Sequence, residues 1–440
     1  MSGHKQCLCG ACPSVSARAC LSVPGRYKYL MTMKKVVLIN HSDVKGGASV
    51  VSFRLMMALS RAGVDARMLV VHKATDNLRV AQAAPAWRHE AAFLAECARL
   101  YTATGFNRQD IFKLSSGSFG MPLHNHPWVR EADAVILGWI NQGMMSLGEI
   151  ERIHAMGKPV AWTLHDMWPV TGLCHHAGTC TNYTQGCGNC PLLRGGASAN
   201  DLSAKVFRRK DALYRRVPIR FVAISSWIAR CCARSPLTAA QDVSVIPNAF
   251  PVEEYAVTPA MSRAELGLPA GKRLVVMGAA RLDDPIKNLP LAVETLNRVS
   301  AADTAAVFFG AIRDPRALDG LQMPHVALGP VATAERVAQI FAHADVVLST
   351  SRYETLPGTL IEGMAAGAVP VSTGNGGQRD IVEPGVDGFI ATHDDPDELA
   401  VLIEQALANP FPRQQQHEAV MRRFAAERVA NAYIQLLNLR

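Results

Sequence analysis

The 440-residue sequence has no apolar run close to the ~18–20 residues that a membrane-spanning helix needs. Its first 30 residues also lack the apolar segment typical of a secretory signal peptide. Low-complexity segments and obvious internal repeats are missing as well. We therefore expect a cytoplasmic protein that is either soluble or bound peripherally at the inner face of the cell membrane.

Residues 1–33 differ from the rest of the chain. They hold four of the 11 cysteines and show little hydrophobic periodicity. We predict that they form a disordered N-terminal extension, produced by an over-long reading of the start site, and a metal-binding tail is the alternative. Cysteines in a chain without an export signal indicate a reducing compartment, where thiols stay free or bind metals.

The charge balance is basic, with 45 Lys and Arg against 37 Asp and Glu, a net charge of +8 and a pI near 9.0. Such a balance favours anionic partners, which include nucleotides, phospholipid surfaces and nucleic acids. The length exceeds that of one ordinary hydrophobic core and predicts two domains. A hydrophobic content of 49% is enough to fill both.

Short apolar runs alternate with helical patterns along the chain, and this is typical of parallel doubly wound sheets. The predicted strands are residues 34–40, 65–71, 134–138, 159–165, 220–225, 243–250, 273–278, 305–310, 326–329, 345–350, 369–372 and 388–391. We predict an α/β fold with two Rossmann-like domains, residues 34–250 and 270–413, followed by a helix over 414–440. Ligands of such sheets bind at the carboxyl ends of the strands, so a central cleft is expected.

Two carboxylates, Glu354 and Glu362, stand eight positions apart around a turn made by Pro357, Gly358 and Thr359. Pro fits the first turn of a helix, and Gly allows a ligand to approach the backbone closely. The positive end of the following helix suits a diphosphate. The carboxylates can accept hydrogen bonds from sugar hydroxyls on either side of it. The pattern predicts a nucleotide-sugar site.

Two further segments fit an anionic ligand. Gly46 and Gly47 stand where the first predicted strand gives way to a helix, but the dinucleotide fingerprint G-x-G-x-x-G is not present. Arg281 and Lys287 follow a strand of the second domain. A guanidinium fork and an ammonium group at these positions can neutralise a diphosphate as it leaves.

The stretch ETLPGTLIEGMAAGAVPV (residues 354–371) resembles the E-x7-E element of the GT-B fold retaining glycosyltransferases of family 4. GAARLDDPIKNL (residues 278–289) and TLHDMWP (residues 163–169) resemble further elements of that family, and we expect His165 and Asp166 of the second segment to face the cleft. The resemblance implies a GT-B fold whose last helix returns to the N-terminal domain. It also implies that Glu354 and His165 contact the donor sugar, Glu362 the ribose, and Gly46–Gly47, Arg281 and Lys287 the diphosphate.

The implied activity is the retaining transfer of a hexosyl-type sugar from a UDP- or GDP-sugar to a glycan or polyprenyl-linked acceptor. No cofactor is required for catalysis. Residues 165–191 resemble the colanic-acid branch of the family, which implies a role in exopolysaccharide or surface-glycan assembly.

Four cysteines in the loop 174–190 have the spacing C-x5-C-x6-C-x2-C. They are Cys174, Cys180, Cys187 and Cys190. Four thiolates suit tetrahedral zinc, and we predict a structural Zn²⁺ beside the acceptor site, with His175 or His176 able to replace a thiolate. Four reduced cysteines that pack as small apolar residues are the alternative.

Residues 205–216 form a basic amphipathic stretch, which predicts either contact with an anionic membrane or a solvated helix face. Three other functions use the same features. A glycoside hydrolase would use the two carboxylates, and a sugar-nucleotide epimerase would share the two-domain shape. A zinc-containing nucleic-acid binder would use the cysteines and the charge, but interleaved aromatic residues are missing, so we expect no nucleic-acid partner.

Overall fold

The computed structural model describes residues 33–300 and 302–440, and the predicted N-terminal extension lies almost wholly outside these residues. Within them, residues 34–440 form one compact unit. Two parallel sheets organise this unit, and we call each sheet with its covering helices a lobe.

The first lobe has a seven-stranded sheet of order β3-β2-β1-β4-β5-β6-β7. All neighbouring strands are parallel. Its strands are β1 (Lys35–Ile39), β2 (Asp65–Val70), β3 (Val80–Gln82), β4 (Ala134–Leu137), β5 (Val160–Leu164), β6 (Ile219–Ala223) and β7 (Val243–Val245). Its helices are α1 (Gly47–Arg61), α2 (Ala86–Ala103), α3 (Pro127–Glu131), α4 (Leu147–Ala155), α5 (Leu202–Arg216) and α6 (Ser226–Arg234). Strands β4 and β5 are buried throughout, as a sheet covered on both faces requires.

The second lobe has a six-stranded sheet of order β10-β9-β8-β11-β12-β13, again parallel. Its strands are β8 (Arg273–Arg281), β9 (Thr304–Ala311), β10 (His325–Ala327), β11 (Val346–Ser349), β12 (Val369–Thr373) and β13 (Phe389–Ala391). The remaining helices are α7 (Arg263–Leu266), α8 (Leu289–Leu296), α9 (Ala334–Ala342), α10 (Gly358–Ala365), α11 (Pro396–Ala408), α12 (Arg413–Phe424) and α13 (Ala426–Leu437). The strand orders of the two sheets confirm the predicted pair of doubly wound sheets.

Short 3₁₀ helices occur in the connections. They are Ile111–Lys113, Leu123–Asn125, Trp168–Val170, Asn182–Thr184, Pro191–Gly196, Val252–Glu254 and Gly377–Asp380. No helix within the described residues is long and apolar enough to cross a membrane.

The chain crosses between the lobes twice, and the two crossings touch. The first passes Phe250, whose N–H donates to the carbonyl of Phe424 at 3.0 Å, and Phe250 and Ala425 form an isolated parallel bridge. Ala425 separates α12 from α13, so the predicted single helix over 414–440 is two helices. The break exists because Ala425 takes an extended conformation to pair with Phe250.

Helix α13 packs on α1 of the first lobe, which confirms the expected return of the last helix. Its buried side chains Val429, Tyr433 and Ile434 join the same core as Leu55 and Leu59 of α1. The hydroxyl groups of Tyr433 and Thr163 hydrogen-bond at 2.8 Å. The end of the chain therefore supports the strand that leads to the predicted site residue His165.

Candidate functional site

A cleft of about 520 Å³ lies between the two lobes at the carboxyl ends of both sheets. This volume is ordinary for a small-molecule site. Most predicted site residues line it: Gly47, His165, Arg281, Lys287, Glu354, Pro357, Gly358, Thr359 and Glu362. Gly46 is absent from the lining and forms the N-cap of α1 with φ of 87°. Residues separated by more than 300 positions thus meet in one cavity.

The N-termini of α1 and α10 both contribute to this cleft. Helix α1 begins at Gly47, and α10 begins at Gly358 with Pro357 as its N-cap. Pro357 therefore precedes the first helical turn, where the sequence had placed it inside. A Cβ atom built on Gly46, Gly47 or Gly358 would meet nothing within 4 Å. A ligand can therefore approach the backbone closely at both helix starts, as an anion-binding helix end requires.

Cations of the second lobe stand beside the carboxylates. Lys287 donates to Glu354 Oε1, and Ser351 Oγ donates to the same oxygen at 3.1 Å. Arg281 Nη2 donates to Asp284 Oδ2 at 2.6 Å, and Asp283 Oδ1 lies 3.6 Å from Arg281 Nε. Each cation in the cleft thus has a carboxylate partner that an incoming diphosphate can replace.

Glu362 meets a residue that the sequence reasoning missed. Arg54 Nη2 of α1 lies 3.4 Å from Glu362 Oε1, and the guanidinium carbon of Arg54 lies 4.7 Å from the centre of the Phe250 ring. Burial raises the pKa of Glu362, and Arg54 offsets part of this rise. The sequence did offer one signal for Arg54, since it is a basic residue in the helix that follows Gly46 and Gly47.

His165 directly follows β5 and contacts both lobes. Its carbonyl accepts a hydrogen bond from Thr355 Oγ1 at 3.0 Å, and its Nε2 lies 3.4 Å from Ser52 Oγ. Burial lowers the pKa of His165 to about 4, and the nearby Asp166 offsets only part of this. The imidazole is therefore neutral at pH 7 and able to hydrogen-bond a sugar hydroxyl.

Asp166 turns away from the cleft, although we expected it to face the cleft with His165. Its carboxylate accepts from Trp139 Nε1 at 2.8 Å and from the Trp168 N–H at 2.8 Å, and it lies 2.6 Å from His175 Nδ1. Burial would raise the pKa of Asp166, but His175 and these donors hold it below its ordinary value. Asp166 therefore fixes the start of the cysteine-rich loop.

The four loop cysteines, Cys174, Cys180, Cys187 and Cys190, line a single cavity of about 20 Å³. Burial raises the pKa of Cys174 to about 12 and that of Cys187 to about 11. Neither His175 nor His176 lines this cavity. Across residues 33–300 and 302–440, no group of three or more His, Cys, Asp or Glu side chains is arranged to hold a metal ion. The structure thus gives no support to the predicted zinc.

The basic stretch 205–216 lies within α5, and its apolar face is not available to a lipid. Val206, Phe207, Leu213 and Tyr214 are buried in the first lobe. Only charged side chains such as Arg208 and Arg215 are exposed. The amphipathic pattern therefore reflects packing against the protein.

Comparison with known proteins defines the class. Residues 271–409, which cover most of the second lobe, match the family model described as "Glycosyl transferases group 1". None of the curated proteins compared with the chain is a significant match by sequence. With the two-lobed GT-B fold, the family match confirms the prediction of an enzyme of the glycosyltransferase class.

Several solved structures share the fold. Anabaena Alr3699/HepE in complex with UDP and glucose is 17% identical, with a TM-score of 0.59 over 92% of this chain and 99% of that chain. Sucrose-phosphate synthase from Thermosynechococcus elongatus is 18% identical, with a TM-score of 0.64 over 92% and 98%. The lipopolysaccharide outer core galactosyltransferase WaaB is 16% identical, with a TM-score of 0.56 over 92% and 99%. At such identities the likeness shows the GT-B fold.

Proposed function

We propose that this protein is a retaining glycosyltransferase of family 4 that transfers a hexose from a nucleoside-diphosphate sugar to a glycan or lipid-linked glycan. One observation carries the proposal: Arg281, Lys287, Glu354 and Glu362 line one cleft with the starts of two helices. The fold neighbour HepE, which is named for complexes with UDP and with UDP-glucose, favours uridine over guanosine.

The cleft residues take separate roles in this proposal. Glu362 binds the ribose hydroxyls, and Glu354 and His165 bind the donor sugar. Arg281, Lys287 and the N–H groups at Gly47, Gly358 and Thr359 hold the diphosphate. Arg54 orients Glu362 and opposes the rise in its pKa that burial causes, because a nearby opposite charge favours the ionised form of a carboxylate.

The reaction breaks the bond between the anomeric carbon and the β-phosphate oxygen and forms a bond from that carbon to the acceptor oxygen. The acceptor hydroxyl proton passes to the leaving diphosphate, so no protein base is needed. Lys287 and Arg281 stabilise the negative charge that develops on the diphosphate. The two lobes exclude water and align the reactants.

A thermal-shift screen of UDP- and GDP-sugars tests the proposal. We expect a UDP-sugar at about 100 times its Kd to stabilise the protein by about 2.7 kcal/mol. Glu362→Ala should lose most of the shift, and Glu294→Ala on the exposed side of α8 should keep it. No shift with any nucleotide sugar would end the proposal. NMR of the UDP-sugar without acceptor separates transfer from epimerisation, because only an epimerase converts the sugar to its epimer when no acceptor is present.

Three finer points belong to the same proposal. A role in exopolysaccharide assembly follows from the resemblance of residues 165–191. Attachment to an anionic membrane would depend on charge alone, since the apolar face of α5 is buried. If the protein sediments with vesicles to the same extent with and without anionic lipid, this attachment is excluded. The structural zinc is proposed from the spacing of the four cysteines alone, since they line one cavity but form no arranged metal site within the described residues. Metal analysis that finds about one zinc per chain would establish it, and a result without zinc would leave four free cysteines.

A further inference from the structure

A second cavity, of about 560 Å³, adjoins the donor cleft. Its first-lobe wall is the cysteine-rich loop together with α6, and its second-lobe wall consists of loops that follow β11, β12 and β13. The two cavities share His176 and Tyr353, whose ring centres lie 4.9 Å apart across the lobes. A molecule in the second cavity therefore lies one side-chain layer from the donor sugar.

Aromatic side chains line the second cavity. Tyr183 and Trp227 contribute from the first lobe and Tyr353 from the second. Trp227 and Tyr353 are only partly buried, so their rings have faces open to a ligand. Such amphipathic rings suit a molecule with both apolar and polar faces, as a sugar ring has.

The charges of the second cavity favour an anion. Arg234 and Arg352 line it, and neither has a carboxylate within 4.0 Å among the residues that the structure describes. Arg352 donates to the carbonyl of Pro285 at 3.2 Å and to Asn288 Oδ1 at 2.9 Å, which fixes its direction. The opposing carboxylate, Asp394, accepts from Asn375 Nδ2 at 2.6 Å. Two guanidinium groups against one carboxylate leave an excess of positive charge.

His176 stands at the junction of the two cavities with an unused hydrogen-bonding atom. Its Nδ1 is buried and has no hydrogen-bond partner within the described part of the chain. A buried polar atom without a partner is uncommon in a folded protein, and a ligand hydroxyl in this position would satisfy it. A hydroxyl that reaches from the second cavity toward the donor sugar passes this ring.

We propose that the second cavity binds the acceptor, that Arg234 and Arg352 hold an anionic group on it, and that His176 accepts a hydrogen bond from a hydroxyl next to the reacting one. This rests on the proposed transferase function. The anion has two chemical sources, the diphosphate of a lipid-linked sugar or the carboxylate of an acidic sugar. Both present oxygens that a guanidinium binds as a fork.

Calorimetric binding to the UDP-saturated protein tests the cavity without requiring turnover. The probes are a farnesyl-diphosphate-linked glucose, a glucuronic-acid disaccharide and a neutral disaccharide. We expect one anionic probe to bind at least about tenfold more tightly than the neutral one, and Arg234→Gln to remove that advantage. Arg215→Gln, which removes an exposed charge at the end of α5, is the matched control and should change nothing.

Equal affinity for all three probes, or an Arg234→Gln protein that keeps the advantage, would overturn the anion-binding acceptor site. If UDP still produces a thermal shift in that case, only this inference has failed. If the wild-type protein shows no UDP-induced shift, the transferase function itself is rejected. The probe that binds identifies the source of the anion.

His176 is tested by transfer to the probe that binds. His176→Ala should lower kcat for transfer at least about tenfold and should lower the slow release of the donor sugar to water by a much smaller factor. His176→Asn should restore part of the transfer, because its side-chain oxygen can stand near the lost Nδ1 acceptor. Equal losses in transfer and in release to water, or no rescue by Asn, would show that His176 only supports the fold.

Discussion

Lys210 is completely buried in the first lobe, and its ammonium group holds the start of the cysteine-rich loop. Its Nζ donates to the carbonyls of Trp168, Thr171 and Gly172 at 2.5, 2.9 and 3.3 Å and lies 3.7 Å from the Trp168 ring centre. Burial lowers the pKa of Lys210 to about 7, and nearby thiols and Asp166 offset part of this. The loop that walls the second cavity thus depends on one cation.

Lys210→Met should lower the free energy of unfolding by roughly 2–3 kcal/mol, because it leaves buried carbonyls without a donor. Urea unfolding measures the loss. Lys205→Met, on the exposed side of the same helix, is the control and should have an effect below ~0.5 kcal/mol. Equal stability of the two variants would show that the carbonyls find other donors.

Lys287→Ala should reduce kcat about 10²- to 10³-fold, because the ammonium group faces the charge that the leaving diphosphate acquires. Initial rates of UDP release measure this, with Lys272→Ala as the control, since Lys272 is partly exposed, does not line the cleft and donates to the carbonyl of Ala302. A raised KM with an unchanged kcat would instead show that Lys287 binds the donor in the ground state as strongly as in the transition state.

At this scale the sequence could predict residues at the ends of buried strands or in the first two turns of helices. Arg281 and Glu362 belong to that group, and both line the donor cleft. Asp166 was placed wrongly, because its partners Trp139 and His175 come from other loops and no local pattern encodes such contacts. Tyr353 escaped notice for the same reason, whereas Arg54 had a local signal, a basic residue in the helix after Gly46–Gly47, that did not identify its partner Glu362.

Helix α13 is the element that joins the end of the chain to the first lobe. Ile434→Ala should lower the free energy of unfolding by about 2–5 kcal/mol, since it leaves a cavity against α1. Chemical denaturation measures this, and Gln435→Ala, an exposed neighbour, should be nearly neutral. A neutral Ile434→Ala would mean that α13 separates readily from the lobe.

The sequence predicts buried elements better than exposed ones. Strands β4, β5 and β11 are short apolar runs, buried along their length, and the sequence indicates them directly. Strand β3, with three residues at a sheet edge and one of them exposed, lacks that signal and was missed. Helix α5 was open to misinterpretation as a membrane surface, because amphipathic periodicity reports a buried face without saying what covers it.

Histidines make the whole molecule sensitive to acid. Burial, with His89 and His72 nearby, lowers the pKa of His41 to about 4, and burial does the same for His165. The unfolded chain takes up these protons near pH 6.5, whereas the folded chain resists them down to about pH 4. Stability from these groups is thus present above pH 6.5 and is lost as the pH falls toward 4.

We expect the free energy of unfolding to fall between pH 7 and pH 5, with about 1–2 kcal/mol lost for each of the two histidines. Urea titrations at pH 7, 6 and 5 measure the slope. His41→Gln should flatten it, and His393→Gln, whose side chain is 83% exposed, should not. A constant stability over this range would contradict the buried neutral state of both rings.

For the whole molecule, the sequence could predict two doubly wound sheets and a cleft, because the alternation of strands and helices is a local property. The second cavity was beyond such reasoning. Its walls come from α6, the cysteine-rich loop and three loops of the second lobe, and only the packing of the lobes brings Arg234 to Arg352.

The paired crossings at Phe250 and Ala425 have a consequence for biosynthesis. The ribosome makes the seven strands of the first lobe early, yet the helix that covers α1 is among the last segments to emerge. Until then an apolar surface around Leu55 and Leu59 has no cover. Domains generally fold as units during synthesis. The core of the first lobe, however, is not complete until α13, which follows the second lobe, has been made.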